Sequence, residues 1–245
     1  MIGSHIIEEN RTGSTNTLAF QYLKEKKLPE GTVIRAIEQT EGRGHRENKW
    51  ESEPGKNLTF SVILYPDFMK ASEQFNLSKM TSLAIYDFLE PLVSNACIKW
   101  PNDIYVDDDK IAGILIENSI LGSNLEYSII GIGLNINQTL FIGNAPNPTS
   151  LKIITGREMD LDKALSGLYK CLNKRYLLLC KSGTEQLDRD YLSRLYRYNE
   201  FHLYKTESEQ FAAKITGFDP YGAVILETDK GEIRKFGFRE VDYVL

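Results

Sequence analysis

Hydrophobic residues along this chain repeat with two different periods, and the changes between them predict the order of strands and helices. A period of two is typical of a strand with one buried face, and a short continuous apolar run is typical of a strand buried on both faces. Both kinds occur in the first half of the chain. The strands that they predict are Ile6-Ile7 and residues 32–39, 58–64, 98–100, 110–117 and 127–134.

Helical spacing predicts the elements between and after these strands. Ser14 is placed to cap a first helix that has one apolar face. Apolar residues then repeat at helical spacing over residues 75–88, until Pro91 weakens the pattern. Two further helices are predicted over residues 161–180 and 184–196.

The character of the chain changes near residue 197. Short alternating runs at 210–218, 223–228 and 232–236 are separated by glycine-containing turns, which is typical of a small antiparallel barrel. The pattern therefore predicts an α+β protein in two parts. Residues 1–196 are expected to form a mixed β-sheet backed by helices, and residues 197–245 a small β-barrel.

Composition and charge narrow the possible partners and location. The 34 Asp and Glu outnumber the 29 Lys and Arg, which gives a net charge of −5, whereas proteins that bind phosphate backbones usually present a basic face. No apolar run is long enough to span a bilayer, and the N-terminus lacks the features of a secretory signal. The 3 cysteines lack metal or redox spacing and indicate free thiols. We therefore expect a cytoplasmic protein with neither nucleic acid nor membrane as a partner.

Polar residues interrupt two predicted strands in a way that core packing does not require. The run Lys99-Trp100-Pro101-Asn102-Asp103 ends an extended segment with amide and carboxylate groups at a bend, and Lys110 opens the next apolar run. Lys110 could direct its charge into a cleft, or it could extend from the strand end into solvent. Asn102 and Asp103 could contact a ligand, or they could satisfy the backbone of a buried turn.

Two further segments have both a binding and a structural interpretation. Glycines around an arginine in Gly42-Arg43-Gly44 suit a loop that approaches an anionic ligand closely, but the same tripeptide is common at an exposed hairpin tip. Ser14-Thr15-Asn16 could bind a polar ligand or cap a helix.

Taken together, these segments resemble the catalytic module of the biotin–protein ligases, and the resemblance spans most of the chain. In that family the glycine-rich loop reads Gln-x-x-Gly-Arg-Gly and ends in Trp. The segments that carry the resemblance are Gln39 with Gly42-Arg43-Gly44 and Trp50, Lys99 to Asp103 with Lys110 to Glu117, and Gly131-Ile132-Gly133-Leu134-Asn135.

The resemblance implies a fold and an activity. The fold would be that of the biotin ligase catalytic domain, similar to class II aminoacyl-tRNA synthetases, with an SH3-like C-terminal domain. The activity would be ATP-dependent and Mg²⁺-dependent attachment of biotin, through biotinyl-AMP, to a lysine of a biotin carboxyl carrier protein or domain. Since the predicted strands begin close to Met1, we expect no N-terminal DNA-binding domain. Dimers are common in the family, so a homodimer is also an expectation.

The resemblance also implies roles for individual residues. Lys110 falls at the position of the family's active-site lysine, and Lys110 and Arg43 are the catalytic candidates. Asp103 is the candidate Mg²⁺ ligand. The candidates for binding biotin are Ser14, Thr15, Asn16, Gln39, Gly42, Arg43, Gly44, His45, Lys110 and Gly113. The candidates for binding the nucleotide are Arg43, Trp50, Asn102, Asp103, Lys110 and Asn135.

Three residues depart from the family pattern, and two other functions stay open. His45 and Asn48 stand where many members have arginine, and Glu47 stands where glycine is usual. These departures keep open a module that binds biotinyl-AMP without transferring it. A lipoate–protein ligase would share the fold and the adenylation chemistry, but it carries a different, arginine-rich loop with three glycines. Asn147-Pro148-Thr149-Ser150-Leu151 resembles a family segment beside the nucleotide, or it is a cap between a loop and a helix.

Overall fold

The computed structural model describes residues 1–44, 48–143 and 147–244 of the chain. Within these residues the chain forms five α-helices and twelve β-strands. The helices are α1 (Thr15–Glu25), α2 (Phe75–Leu89), α3 (Leu151–Thr155), α4 (Leu161–Ser182) and α5 (Glu185–Ser193). The strands are β1 (Ile6–Thr12), β2 (Val33–Gln39), β3 (Leu58–Leu64), β4 (Ala96–Lys99), β5 (Asp103–Val106), β6 (Asp109–Leu121), β7 (Asn124–Leu134), β8 (His202–Lys205), β9 (Gln210–Phe218), β10 (Val224–Thr228), β11 (Ile233–Phe236) and β12 (Asp242–Tyr243).

The first seven strands form one mixed sheet in the order β1-β2-β3-β7-β6-β5-β4. β1 and β2 run parallel, and every other neighbouring pair is antiparallel. The long strands β6 and β7 lie near the middle of this sheet and pair along most of their length. This arrangement confirms the predicted mixed sheet backed by helices.

The two faces of the sheet are covered differently. Side chains alternate between the faces of a strand, so the even-numbered residues of β6 and β7, such as Ile114 and Ile132, point to one face. They pack in the main core together with residues of α2 and α4. On the other face, Ala19 of α1 packs against Ile63 and Ile129 in a smaller core. The helix α1 covers only part of this second face, and the rest of it remains open.

The last five strands form a separate antiparallel sheet of SH3-like type, in the order β11-β10-β9-β8-β12. Its apolar side joins the main core, for example through Ile215 and Leu226. The indole Nε1 of Trp100 donates a 2.9 Å hydrogen bond to the carbonyl of Gly222, and Phe238 packs on the same indole. The predicted division between residues 196 and 197 falls between α5 and β8, and it stays a proposal.

The hydrophobic periodicity of the sequence did not predict four short helices and strands of the structure. Residues 103–106 form β5 rather than only a bend, because residues 100–102 make a tight turn and Asp103 pairs back with Lys99. The five-residue helix α3 begins after Ser150, whose side chain accepts a hydrogen bond from the amide of Ile153. The capping interpretation of this segment is therefore confirmed. β8 and β12 were also missed, since two to four residues carry too little periodic signal.

One predicted helix was too long. α5 ends at Ser193 because the following residues pair with the edge strand β4 instead. Ile98 donates to the carbonyl of Arg194, and Tyr196 donates to the carbonyl of Ile98. Within the part of the chain that the structure describes, none of the helices combines the length and the apolar character that crossing a membrane requires.

Candidate active site

A cavity of about 320 Å³ lies on the open face of the large sheet, over β6 and β7. Three of its floor positions are glycines: Gly113, Gly131 and Gly133. A Cβ atom at Gly131 would lie 3.0 Å from Cγ of Asn16, and one at Gly133 would lie 2.5 Å from Cζ2 of Trp50. Any larger residue would displace these side chains, so the glycines create the space in which a ligand can lie against the strands.

Trp50 covers the floor from one side. Its backbone amide donates to the carbonyl of Gly42, and the amide of Gly44 donates to the carbonyl of Asn48. These bonds close the base of the glycine-rich loop. The indole Nε1 is buried and has no hydrogen-bond partner among the described residues, and the ammonium of Lys110 lies 5.9 Å from the ring centroid. The residues at the base of this loop are therefore paired as in a hairpin, and they also form a wall of the cavity.

One end of the cavity is formed by Ser14, Asn16 and Gln39, and we call it the amide end. The amide N–H of Thr15 donates to Oε1 of Gln39 at 2.8 Å. This bond fixes the orientation of the Gln39 amide, whose Nε2 has no partner within the described ranges and is left as a donor. Ser14 precedes α1, but its hydroxyl makes no capping bond. Both groups are available to a polar ligand in the cavity.

Asn16 is held by several hydrogen bonds. Its Nδ2 donates to the carbonyl of Leu115 at 3.2 Å and to Oε2 of Glu117 at 2.8 Å. Its Oδ1 accepts from the hydroxyl of Ser61 at 2.6 Å. The side chain is 3% exposed, so this network is what keeps a buried amide satisfied.

Arg43 also lies toward the amide end. Its Nη2 is 3.1 Å from Oε1 of Glu117. Glu117 is four residues beyond Gly113 on β6, which corresponds to about 13 Å along a strand. The structure therefore does not bring the Arg43 guanidinium to Lys110.

The opposite end of the cavity is formed by Lys99, Asp103 and Lys110, and we call it the lysine end. The Nζ of Lys110 is 2.6 Å from Oδ1 of Asp103. Its backbone is fixed as well, because its N–H donates to the carbonyl of Asn147 and its carbonyl accepts from Thr149. Lys110 thus points into the cavity, and the interpretation in which it extends into solvent does not hold.

Lys99 is a second lysine at this end. Its Nζ donates to the hydroxyl of Tyr105 at 3.0 Å and lies 4.9 Å from the ring centroid of Tyr243. Burial lowers the pKa of the Lys99 ammonium, and nearby Asp103 opposes that shift. Burial also raises the pKa of the Tyr105 hydroxyl. A cation with so little water around it can interact strongly with an anion that enters the cavity.

The charge of the cavity is opposite to that of the chain. Among the described residues, five cations and two carboxylates line it, whereas the whole chain has a net charge of −5. Such a cavity concentrates anionic ligands. The cations are Arg43, Lys49, Lys99, Lys110 and Arg239, and the carboxylates are Asp103 and Asp242.

Most of the predicted residues meet in this cavity. Thr15 and Gly42 support its wall without lining it, and Asn135 is buried behind it, where its Nδ2 donates to the carbonyl of Thr149. His45 and Glu47 lie outside the described residues. The predicted residues that line the cavity are Ser14, Asn16, Gln39, Arg43, Gly44, Trp50, Asn102, Asp103, Lys110 and Gly113.

Several lining residues were missed by sequence reasoning. Phe238, Arg239 and Asp242 reach the cavity from the C-terminal sheet, and no local pattern marks them. Lys99 and Tyr105 flank the predicted Asn102-Asp103 pair. Lys99 pairs with Asp103 across the two strands, and Tyr105 is two residues beyond Asp103. The alternation of side chains along a strand places all three on one face, and it could have indicated Lys99 and Tyr105. Among the described residues, no group of three or more His, Cys, Asp or Glu is placed to hold a metal ion.

Comparison with known proteins identifies the family. Residues 9–135 match the model of the biotin/lipoate A/B protein ligase family. The bifunctional ligase/repressor BirA of Bacillus subtilis is 30% identical over 242 residues, which cover 94% of this chain and 72% of that protein. The chain belongs to this family.

Further relatives agree in sequence and in fold. The biotin–[acetyl-CoA-carboxylase] ligase of Paracoccus denitrificans is 30% identical over 228 residues, which cover 90% of this chain and 93% of that protein. The structure of the Aquifex aeolicus biotin protein ligase in complex with biotin and ATP superposes with a TM-score of 0.80, at 26% identity, and covers 98% of this chain and 100% of that one. The predicted biotin ligase fold is therefore confirmed.

Proposed function

We propose that this chain is a biotin–protein ligase, which activates biotin with ATP and transfers it to a lysine of a biotin carboxyl carrier protein or domain. The observation that carries the proposal is that an amide end, a glycine floor and a lysine end meet in one cavity. This arrangement suits an acid with a polar ring system that must meet a nucleotide phosphate. The relatives named for biotin ligation, of which one is in complex with biotin and ATP, support the same assignment.

The amide end would bind the ureido ring of biotin. A ureido group has a carbonyl acceptor and two N–H donors, so it needs both kinds of partner. Nε2 of Gln39 is a donor with no partner in the described parts of the chain, and the Ser14 hydroxyl can act as donor or acceptor. The orientation of the Gln39 amide is set before the ligand arrives, and such preorganisation reduces the entropy cost of binding.

The lysine end would support adenylation. An oxygen of the biotin carboxylate attacks the α-phosphorus of ATP, a new P–O bond forms, and pyrophosphate leaves with the electrons of the broken bond. Two anions must approach each other in this step, and the fixed ammonium of Lys110 reduces their repulsion and stabilises the charge of the transition state. Lys99 adds a second cation nearby. Because Arg43 pairs with Glu117 toward the amide end, we assign the phosphate contact to the two lysines, and the contact of Arg43 with phosphate stays a prediction.

The residues present fit a requirement for Mg²⁺. This ion usually takes one or two carboxylates and completes its shell with water and phosphate oxygens, and Asp103 offers such a carboxylate beside the Asn102 side chain. When bound, Mg²⁺ would offset charge on the phosphates of ATP. Asp103 is paired with Lys110, so a metal ligand role would require that ion pair to loosen.

The second step would take place at the same cavity. The neutral ε-amine of the carrier lysine attacks the acyl carbon of biotinyl-AMP, the bond between that carbon and the phosphate oxygen breaks, AMP leaves with its electrons, and the nitrogen loses a proton to water to give the amide. Phe238, Arg239 and Asp242 place the C-terminal sheet at the mouth of the cavity, where the carrier must arrive. We include in the proposal a cytoplasmic location, which the three free cysteines support, and a homodimer.

One experiment tests the function and its closest alternative together. The protein is incubated with ATP, Mg²⁺ and a carrier domain, with either biotin or lipoate, and the mass of the carrier is measured. We expect the carrier to gain one biotinyl group and no lipoyl group. A lipoyl group alone would favour lipoate ligation, and biotinyl-AMP held on an unchanged carrier would favour a binding module.

A further inference from the structure

The floor of the cavity continues beyond the amide end. Gly113, Leu115 and Glu117 share one face of β6, because side chains alternate along a strand. Their partners on β7 share the same face, and each rung is about 6.6 Å from the next. The three rungs are Gly113 with Gly133, Leu115 with Gly131, and Glu117 with Ile129. The strands therefore form one trough, of which the cavity occupies the first two rungs.

A second cavity of about 350 Å³ occupies the trough at the third rung. Phe20, Tyr127 and Ile129 give it an apolar lining. Asn16 and Arg43 line both cavities. A residue that lines both must stand between them, so these two side chains divide the trough.

Glu117 holds the dividing side chains in place. One of its carboxylate oxygens lies 3.1 Å from the Arg43 guanidinium, and the other accepts a 2.8 Å hydrogen bond from Asn16. Arg43 belongs to the glycine-rich loop and Asn16 to α1, so Glu117 ties two separate elements across the trough. We call Asn16, Arg43 and Glu117 the crossbar.

We propose that the crossbar determines acid specificity by closing the trough behind the ring system of the bound acid. The inference rests on the proposed function, in which the ring lies at the amide end and the carboxylate at the lysine end. With the crossbar in place, an acid that extends past its ureido group meets a charged wall. Without the Glu117 side chain, an apolar extension of the ring reaches the cavity lined by Phe20, Tyr127 and Ile129.

The test compares biotin with a biotin that carries a benzyl group on a ureido nitrogen. The measurement is kcat/KM for acid-dependent exchange of pyrophosphate into ATP, in the wild-type protein and in Glu117→Ala. The wild type should strongly prefer biotin. Glu117→Ala should reduce that preference by about tenfold or more, which is the scale on which a pocket discriminates between apolar groups. Glu126→Ala removes an exposed carboxylate that binds Ser119 on the neighbouring strand, and it should leave the preference unchanged.

Each outcome has a separate meaning. An unchanged preference in a folded Glu117→Ala protein would overturn the crossbar, while absence of biotin-dependent exchange in the wild type would overturn the proposed function instead. If thermal unfolding shows that Glu117→Ala does not fold, Glu117→Gln decides. That variant keeps the size of the side chain and an acceptor for Asn16 but loses the charge opposite Arg43. It should lower the preference by a smaller factor, and no reduction would again overturn the crossbar.

Discussion

At the amide end of the cavity most polar side-chain atoms are uncharged and have a partner among the described residues, whereas at the lysine end two ammonium groups lie close together beside Asp103. Gln39 and Asn16 are joined through Thr15 and Ser61 in one hydrogen-bond network, and Nε2 of Gln39 has no partner among the described residues. Lys99 and Lys110 both lie near the carboxylate of Asp103, and Asp242 is a further carboxylate near Lys99. The comparison shows that the groups that can recognise a ligand through directional hydrogen bonds and the groups that can neutralise its charge lie at different ends of the cavity. Variants at the two ends should therefore have different kinetic effects.

The largest effect is expected for Lys110→Ala at the lysine end. Loss of the ammonium leaves the carboxylate and phosphate repulsion uncompensated and leaves Asp103 as an additional negative charge. Adenylation should fall by about 10³-fold or more, with little change in the melting temperature, because the side chain contributes little to the core. Pyrophosphate exchange and thermal unfolding measure the two quantities. Lys152→Ala removes a lysine from an exposed ion pair with Glu158 and should change neither, and a wild-type rate in Lys110→Ala would refute the role.

Gln39→Glu at the amide end should have the next largest effect. The substitution replaces the free Nε2 donor with an acceptor oxygen and adds a charge, while the side chain keeps its size. The KM for biotin should rise about 30- to 100-fold, which corresponds to the loss of a hydrogen bond and an unfavourable contact, and the KM for ATP should stay nearly constant. Steady-state kinetics with each substrate varied in turn separate the two. Equal changes in both KM values would mean that the two ends do not act separately.

Gly133→Ala should have an intermediate effect that couples the two ends. Its Cβ would overlap the Trp50 indole, so the indole must shift over the floor. We expect catalytic efficiency with biotin to fall about tenfold, since small misplacements of binding groups have effects of this size or larger. Gly217→Ala is the matched control, because a Cβ at Gly217 meets no atom within 4 Å. Equal activity in both variants would show that Trp50 has no part in the site.

The smallest effect concerns the pH dependence at Lys99. Burial lowers the pKa of this ammonium below the ordinary lysine value of about 10.4. As pH rises through the alkaline range, Lys99 therefore loses its charge at a lower pH than an unperturbed lysine would, and ATP binding should weaken a few-fold. The same change should be smaller in Lys99→Met, as measured by ATP binding at several pH values. A weakening that is identical in both proteins would exclude Lys99 as its source.

The same shift predicts the sign of a stability change. The burial penalty on the charged form is present while the pH lies below the lowered pKa, and it disappears as the pH rises above it. The free energy of unfolding of the wild type should therefore increase relative to Lys99→Met with rising pH. Denaturant unfolding at two alkaline pH values measures this difference, and the opposite sign would contradict the burial argument.

Sequence periodicity predicted the regular parts of the fold because long strands and helices repeat their pattern several times. Residues 58–64 and 210–218 are strands with the predicted bounds. Short elements such as β5 and β12 depend on pairing with distant residues, so their own residues carry little signal. This is a limit set by tertiary context, which overrides local preference in short segments.

The residues of the candidate site also differ in whether the sequence could predict them. The amide end and Lys110 were predicted through the family resemblance, which compact motifs such as Ser14-Thr15-Asn16 make recognisable. Arg239 and Asp242 were not, since only the docking of the C-terminal sheet brings them to the cavity. The ion pair between Arg43 and Glu117 joins residues 74 positions apart, and no local pattern indicates it. The predicted role of His45 stays a prediction, because this residue lies outside the described part of the chain.

Acid-dependent exchange of pyrophosphate into ATP is the most direct test of the central claim, that one cavity brings an amide-recognised acid to a phosphate held by lysines. The wild-type protein is assayed with ATP and Mg²⁺ in the presence of biotin, of lipoate, or of no added acid. Exchange with biotin alone is the predicted result. Exchange with lipoate but not biotin, or exchange at the same rate without any acid, would contradict the account.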